Sequence, residues 1–451
     1  MKRYRVRWLW SGVVLAMGFA AAPAAGRQFD PALAMRTFDV AWQLVYDTHF
    51  DTTFNGVDWL AVRDELRPRA EAATSNRELR AVIGEMIGRL GQSHFALIPR
   101  EVSERGDALD DAEDAVGGDA AGVGDAGLDV RLLDGRVVVA SVEEAGPAWA
   151  AGIRPGWIVL STNDRAIDSL VTRLNAMDQH MSLATRVWSV VLGRLGGPPG
   201  STLALTMLDG ADDTVRLALT RRREPSTPVK FGNLPPFFAR YDGRAVPVAD
   251  GHAVGVIWFN FWMVPLIRQV DSAVNAYRQF DGMVVDLRGN RGGLGAMVMG
   301  VAGHFFDERV LLGTFKTRTA SLQIAANPRR VSPAGTRVQP FAGPVAVLVD
   351  ETSASASEVF AGGMQVAGRV RVFGSTSAGA VLPATTDELP NGDVLYHAFA
   401  EFVTPNGVAL EARGVIPDEV VRPDRETLLA GRDVVMEAAL RWIAAQRAAI
   451  N

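Results

Sequence analysis

Cysteine is absent from all 451 residues, which excludes disulfide bonds, thiolate catalysis and cysteine-built metal sites. Basic charge is not in excess either. Lysine and arginine number 46 against 51 aspartates and glutamates, for a net charge of −5. A nucleic-acid binder needs a basic face to neutralise phosphates, so no nucleic-acid partner is expected. The run Arg221-Arg222-Arg223 is short and reads as capping a strand or a domain edge. Gly289, Gly292 and Gly293 lack the spacing of a nucleotide loop, and no cluster with metal-ligand spacing is visible. The sequence implies no metal and no cofactor, and it carries no solenoid-type repeat.

What is present suffices for a large fold. Apolar residues make up 48% of the chain, so a sizeable core is available. The length implies about two to four domains. The chain opens on the basic segment Met1-Lys-Arg-Tyr-Arg-Val-Arg7, then an apolar run from Trp8 to Ala21 and the triplet Ala22-Pro23-Ala24. That order reads as a signal peptide cleaved after Ala24, because the apolar run is short for a membrane span. The mature protein is then exported, into a bacterial periplasm, and meets the membrane only transiently.

Residues 25–100 read as a helical domain. Trp42, Leu44 and Val45 give one apolar face and Trp59, Val62 and Leu66 another. Ser75-Asn-Arg-Glu78 has capping-box spacing ahead of a stripe running from Leu79 to Leu90, and Ser93 to Ile98 looks extended. Residues 101–125 are acidic and glycine-rich, the composition of a linker. Residues 126–224 give short strands, then Ala145-Gly-Pro-Ala-Trp-Ala-Ala-Gly-Ile-Arg-Pro-Gly156. This run, with Ala126-Gly127-Leu128-Asp129, resembles a PDZ domain of the bacterial protease type. The resemblance implies that Gly127 and Leu128 sit in a loop whose N–H groups hold a peptide carboxylate. From residue 225 to 451 apolar strands alternate with helices, which implies a largely parallel sheet covered on both faces.

Two turns in this last region carry the chemistry: Asp286-Leu-Arg-Gly-Asn-Arg-Gly-Gly293 and Asp350-Glu-Thr-Ser-Ala-Ser-Ala-Ser357. Each ends an apolar strand and opens a helix, so both are expected at the carboxyl edge of one sheet, where such folds build sites. Paired glycines let backbone N–H groups approach an oxyanion. Small alanines between the serines leave room for a substrate beside a helix N-terminus that favours negative charge.

These two turns, with Ser-Ala-Ser-Ala-Ser-Glu-x-Phe-Ala, resemble the C-terminal processing (tail-specific) protease superfamily. The likeness is greatest to its tricorn-like and interphotoreceptor retinoid-binding-protein-like members. It implies a multidomain α/β protein: helical N-terminal domain, PDZ-like β domain, and crotonase/ClpP-like α/β core. It makes Ser355 the nucleophile, with the N–H groups of Gly293 and Ala356 as oxyanion donors and Ser353 and Ser357 as turn and N-cap residues. Better-known members carry a lysine base in a glycine-flanked loop, but here Gly374-Ser-Thr-Ser-Ala-Gly-Ala380 has Ala380 at that place. Beyond Lys2 the chain has only Lys230 and Lys316, in unrelated segments. Leu90-Gly-Gln-Ser-His-Phe-Ala-Leu97 instead matches the tricorn-like members whose histidine is the base, which selects His94. Glu411-Ala-Arg-Gly-Val-Ile-Pro-Asp418 matches the motif of the acid, making Glu411 the group that holds His94. Ser93 is a candidate assisting group near the oxyanion, and Thr376 and Ser377 are candidates for the substrate groove.

The resulting expectation is a serine peptidase acting on peptides or proteins, possibly near their C-termini, through an acyl-enzyme. Two alternatives stay open at this stage. One is a catalytically silent relative that binds peptides or apolar ligands, and the other is a periplasmic scaffold working through its PDZ-like domain.

Overall fold

The computed structural model describes residues 29–101, 124–176, 181–224, 226–230, 232, 234, 237–248 and 251–448. The signal segment and nearly all of the linker lie outside these residues.

Three helices, Pro31–Thr48, Trp59–Glu71 and Asn76–Gly88, open the described chain. Asp30, Asp58 and Ser75 cap them by accepting first-turn N–H groups. At the third helix only half of the expected capping box forms. Ser75 accepts from the Glu78 N–H at 3.3 Å, but the Glu78 carboxylate turns to the N–H and hydroxyl of Thr74. The apolar stripes close on one another around Phe38, Leu66, Leu79, Ile83 and Met86, and this core extends to Leu389 and Leu395 of the C-terminal region. The strand Ala96–Ile98 pairs antiparallel with Val394–Ala398, tying the helical region to the rest.

Residues 128–220 form an antiparallel sheet with strands at Leu128–Leu133, Arg136–Val142, Ile158–Thr162, Thr202–Leu208 and Thr214–Thr220. Two helices, Ile167–Asn175 and Leu183–Leu195, come between its third and fourth strands in the chain.

The C-terminal region is built on a six-stranded sheet in the order Tyr241–Pro247, Ala253–Phe259, Gly282–Asp286, Val345–Val349, Arg371–Gly374, Glu419–Val420. Only the first pair is antiparallel. The central strands Gly282–Asp286 and Val345–Val349 are buried on both faces, as a covered parallel sheet requires. Val345, Val347 and Val349 face a cluster that includes the helix Ala356–Val366, while Ala346 and Leu348 face Val435, Ala439 and Ile443 of the final helix.

A buried ion pair fastens the PDZ-like sheet to this core. The Arg131 guanidinium, on Leu128–Leu133, lies 2.7 Å from the Asp350 carboxylate at the head of the serine turn. Burial works to raise the Asp350 pKa, but Arg131 and the donors of Thr352 outweigh it and hold it below the ordinary value. The helix Leu183–Leu195 adds a second join. Its Thr185 hydroxyl donates to the Glu351 carbonyl, and Arg291 stacks 4.3 Å from the Trp188 ring. Removing one member of a buried pair leaves the other charge without a partner, which costs about 3–5 kcal/mol. Arg131→Ala is therefore expected to lower the denaturation midpoint sharply, with Arg131→Ala/Asp350→Ala recovering part of the loss. Equal stability of Arg131→Ala and the unmodified protein would contradict this.

Candidate active site

The strands Gly282–Asp286 and Val345–Val349 run parallel and adjacent, with Asp286 opposite Leu348. The two turns therefore leave the same edge together, and hydrogen bonds join them. The Ser353 hydroxyl donates to the Leu287 carbonyl at 2.8 Å and accepts from the Asp350 N–H at 3.0 Å. The Ala354 N–H donates to the Asn290 carbonyl at 3.0 Å. The Ser357 hydroxyl donates to that same carbonyl and accepts from the Trp262 indole at 2.9 Å. Both hydroxyls are buried. Ser353 is thus a turn residue, whereas Ser357 is not the N-cap expected from the sequence. It lies inside the helix Ala356–Val366, and Ser355 is the cap residue.

Ser355 differs from its neighbours in backbone and exposure. It is partly exposed, and its φ of 55° and ψ of −117° lie outside the regions open to a residue with a Cβ. Its N–H is held by the Ala380 carbonyl at 2.8 Å and the Glu358 carboxylate at 3.0 Å. Gly292 packs against it so closely that a Cβ there would sit 2.5 Å from the Ser355 Cβ, so only glycine fits. The next residue, Gly293, bridges to Trp262, which donates to the Gly292 carbonyl and accepts from the Leu294 N–H. That pattern turns the N–H of Gly293 away from Trp262. The Ala356 N–H belongs to the first turn of its helix, where backbone donors have no intrahelical partner.

His94 reaches this edge because the strand after it pairs with Val394–Ala398, which sets its ring 5.7 Å from that of Tyr396. Its φ is 62°. The Ser93 hydroxyl lies 2.7 Å from His94 Nδ1 and donates to Glu411 Oε2 at 2.9 Å, while the Ser93 N–H donates to Glu411 Oε1 at 2.7 Å. A hydroxyl has one proton, and here the carboxylate takes it. The Ser93 oxygen must then accept from Nδ1–H, which leaves the lone pair on Nε2. Burial lowers the His94 pKa to about 4, so the imidazole is neutral at pH 7. The link from Glu411 to His94 thus runs through Ser93, on the Nδ1 side of the imidazole.

The loop that lacks the lysine brings the two halves together. The Ala380 carbonyl accepts from Ser355, and the N–H of the next residue, Val381, donates to Glu411 at 3.0 Å. Among the described residues no hydrogen bond joins His94 to the Ser355 hydroxyl. Lys230 and Lys316 are both exposed near strand ends.

Comparison with known proteins decides the family. Residues 254–421 match the profile of peptidase family S41, residues 34–88 that of the tricorn protease C1 domain, and residues 124–185 that of a PDZ domain. Residues 254–421 thus form a peptidase family S41 domain. The chain is a serine-type peptidase, a hydrolase. A carboxyl-terminal-processing protease from Picosynechococcus is 26% identical over 386 residues, covering 84% of this chain and 81% of the relative. Carboxyl-terminal-processing peptidase 3 of Arabidopsis thaliana chloroplasts is also 26% identical, covering 90% of this chain and 72% of its own. The structure of the photosystem II D1 C-terminal processing protease has the same fold, with a TM-score of 0.57 at 23% identity, covering 89% of this chain and 98% of that one. Mature CPAF likewise aligns with a TM-score of 0.60 at 12% identity, over 92% of this chain and 96% of its own.

Not every residue singled out in this S41 sequence lines an open site. Ser377, expected in the substrate groove, points inward. Its buried hydroxyl donates to Glu358 at 2.6 Å and accepts from the Val415 N–H at 2.6 Å, so its proton is committed and burial keeps it from a substrate. Thr376 beside it is partly exposed. In the PDZ-like loop the Gly127 N–H already donates to Asp125 Oδ1 at 2.9 Å, and the Gly127 carbonyl accepts from the Glu143 N–H. Leu128 begins the strand paired with Arg136–Val142. The residue that sequence reading passed over is Glu358, although its place three residues after Ser355 was a usable signal, being the spacing of a capping box.

Proposed function

We propose that this S41 peptidase is an exported enzyme that cleaves peptide bonds with Ser355 as nucleophile and His94 as base, His94 being held by Ser93 and Glu411. The observation that carries this reading is the hydrogen-bonded series Glu411–Ser93–His94, which fixes the tautomer a base needs on the edge where Ser355 is held in a strained turn. Export rests on the basic, apolar and small-residue order of the first 24 residues. Action near C-termini is supported by the relatives named as carboxyl-terminal-processing proteases.

In the first half-reaction the Ser355 Oγ attacks the peptide carbonyl carbon while His94 Nε2 takes its proton. The negative charge passes to the carbonyl oxygen, which the N–H groups of Gly293 and Ala356 receive. The C–N bond then breaks, the imidazolium gives its proton to the leaving amine, and an ester on Ser355 remains. Water attacks that ester with Nε2 again taking a proton. The acid leaves, and the proton returns to Ser355. Glu411 stabilises the transient imidazolium through the Ser93 hydroxyl.

Hydrolysis of a mixed peptide library, followed together with labelling by a fluorophosphonate, tests this. Turnover with the label on Ser355 is the expected result, and turnover with Ser355 unlabelled would contradict it. Ser93→Ala removes the acceptor that fixes the tautomer and should lower kcat about 10²-fold with little change in KM. An unchanged kcat would remove Ser93 from the unit.

A further inference from the structure

We infer that Glu358 is a positioning residue for this reaction, one buried carboxylate that holds the nucleophile turn, the loop at 377–380 and the turn that starts at Glu411 in a common register. The inference rests on the reading of Ser355 as nucleophile. Glu358 is fully buried in the first turn of the helix that Ser355 caps. Its Oε2 accepts from the N–H groups of Ser355 and Ala380, both at 3.0 Å. Its Oε1 accepts from the Ser377 hydroxyl at 2.6 Å and the Gly379 N–H at 2.8 Å. Two of these partners reach further. The Ser377 oxygen accepts from the Val415 N–H, and the Gly379 carbonyl accepts from the Ala412 N–H at 2.8 Å. A single side chain thereby connects the serine turn, the loop at 377–380 and the turn that starts at Glu411.

An ionised carboxylate has about four acceptor sites and no donor, which matches the four donors aimed at it. A glutamine would offer one oxygen and set its NH₂ against N–H groups. The donors facing the carboxylate are neutral hydroxyl and amide groups, so no cation offsets the burial of its charge. A buried, uncompensated carboxylate is unfavourable for stability alone. What it secures is geometry. Ser355 is kept at its strained φ, and Ala380 and Val381 are fixed as the residues that hold Ser355 and Glu411 respectively. Burial pushes the Glu358 pKa up to about 7 against the pull of its hydrogen bonds, so the acceptor set weakens as pH falls through neutrality.

The test is Glu358→Gln in the full chain, with Ser355→Ala beside it. Glu358→Gln should lower kcat about 10- to 100-fold with KM within about twofold, because misplaced reacting groups lose rate more than binding. In the unmodified enzyme kcat should step down to a lower plateau as pH falls through about 7, and the variant should lack that step. A variant with unmodified kcat and an unmodified step overturns the inference. Where Glu358→Gln does not fold, Ser377→Ala decides. Losing one donor to the charged form raises the Glu358 pKa, so the step should move to higher pH, and an unmoved step overturns the inference. Retained turnover in Ser355→Ala would instead overturn the nucleophile assignment, so the two failures are distinguishable.

Discussion

Ser355→Ala lowers kcat by on the order of 10⁶-fold, the scale on which a serine removed from such a unit acts. The expected fold is unchanged, because alanine keeps the Cβ and the Ser355 N–H keeps its bonds to Ala380 and Glu358. The backbone predicts a second, opposite effect. Ser355 sits at φ 55°, where a residue with a Cβ is strained by roughly 1–3 kcal/mol. Ser355→Gly should therefore be as inactive as the alanine variant yet more stable than it. Kinetics and thermal unfolding of the three proteins check both statements. An alanine variant with more than a few per cent of the unmodified kcat would contradict the first.

His94→Ala has a comparable effect, and the two losses do not add. Once the base is gone the serine keeps its proton, so removing the serine as well has little left to cost. The double variant should match either single variant within about tenfold. His94 also sets a pH dependence. Its folded pKa of about 4 lies below the ordinary 6.5 because burial disfavours the charged ring. The folded state thus prefers the neutral form. That contribution to stability is full above about pH 6.5 and is lost as pH falls toward 4. The base follows the same sign, with kcat/KM falling as pH drops through about 4. In His94→Ala the stability change between pH 6.5 and 4 should lose this contribution, and this limb of activity should vanish.

Sequence patterns carried much of the fold because the forces behind them are local or periodic. Alternation of apolar strands and helices reveals a covered parallel sheet, since Val345 to Val349 must satisfy two faces at once. The two turns were legible as chemistry because glycine pairs and small residues beside serines are costly unless backbone must approach a ligand. Side-chain direction was less legible. Nothing in the order Ser353, Ser355, Ser357 says which hydroxyl is spent on Leu287, which on Trp262 and Asn290, and which stays partly exposed. Those choices depend on partners between 60 and 100 residues away. The same holds for Ser93. Sequence places it beside His94, but only the fold brings Glu411 to its hydroxyl and so turns a neighbour into a link. Ser377 was misread for a related reason, because a polar loop residue looks like a groove residue until its burial against Glu358 is seen.

In the proposed reaction His94, seated on Ser93 and Glu411, activates Ser355 in place of the lysine whose position Ala380 occupies. A crystal structure of the enzyme with Ser355 bonded to a peptidyl boronate tests it most directly, because the adduct resembles the tetrahedral intermediate. His94 Nε2 is expected at about 3 Å from an oxygen of the adduct, with Nδ1 still on the Ser93 hydroxyl. An adduct formed on Ser355 with the imidazole directed elsewhere would contradict it.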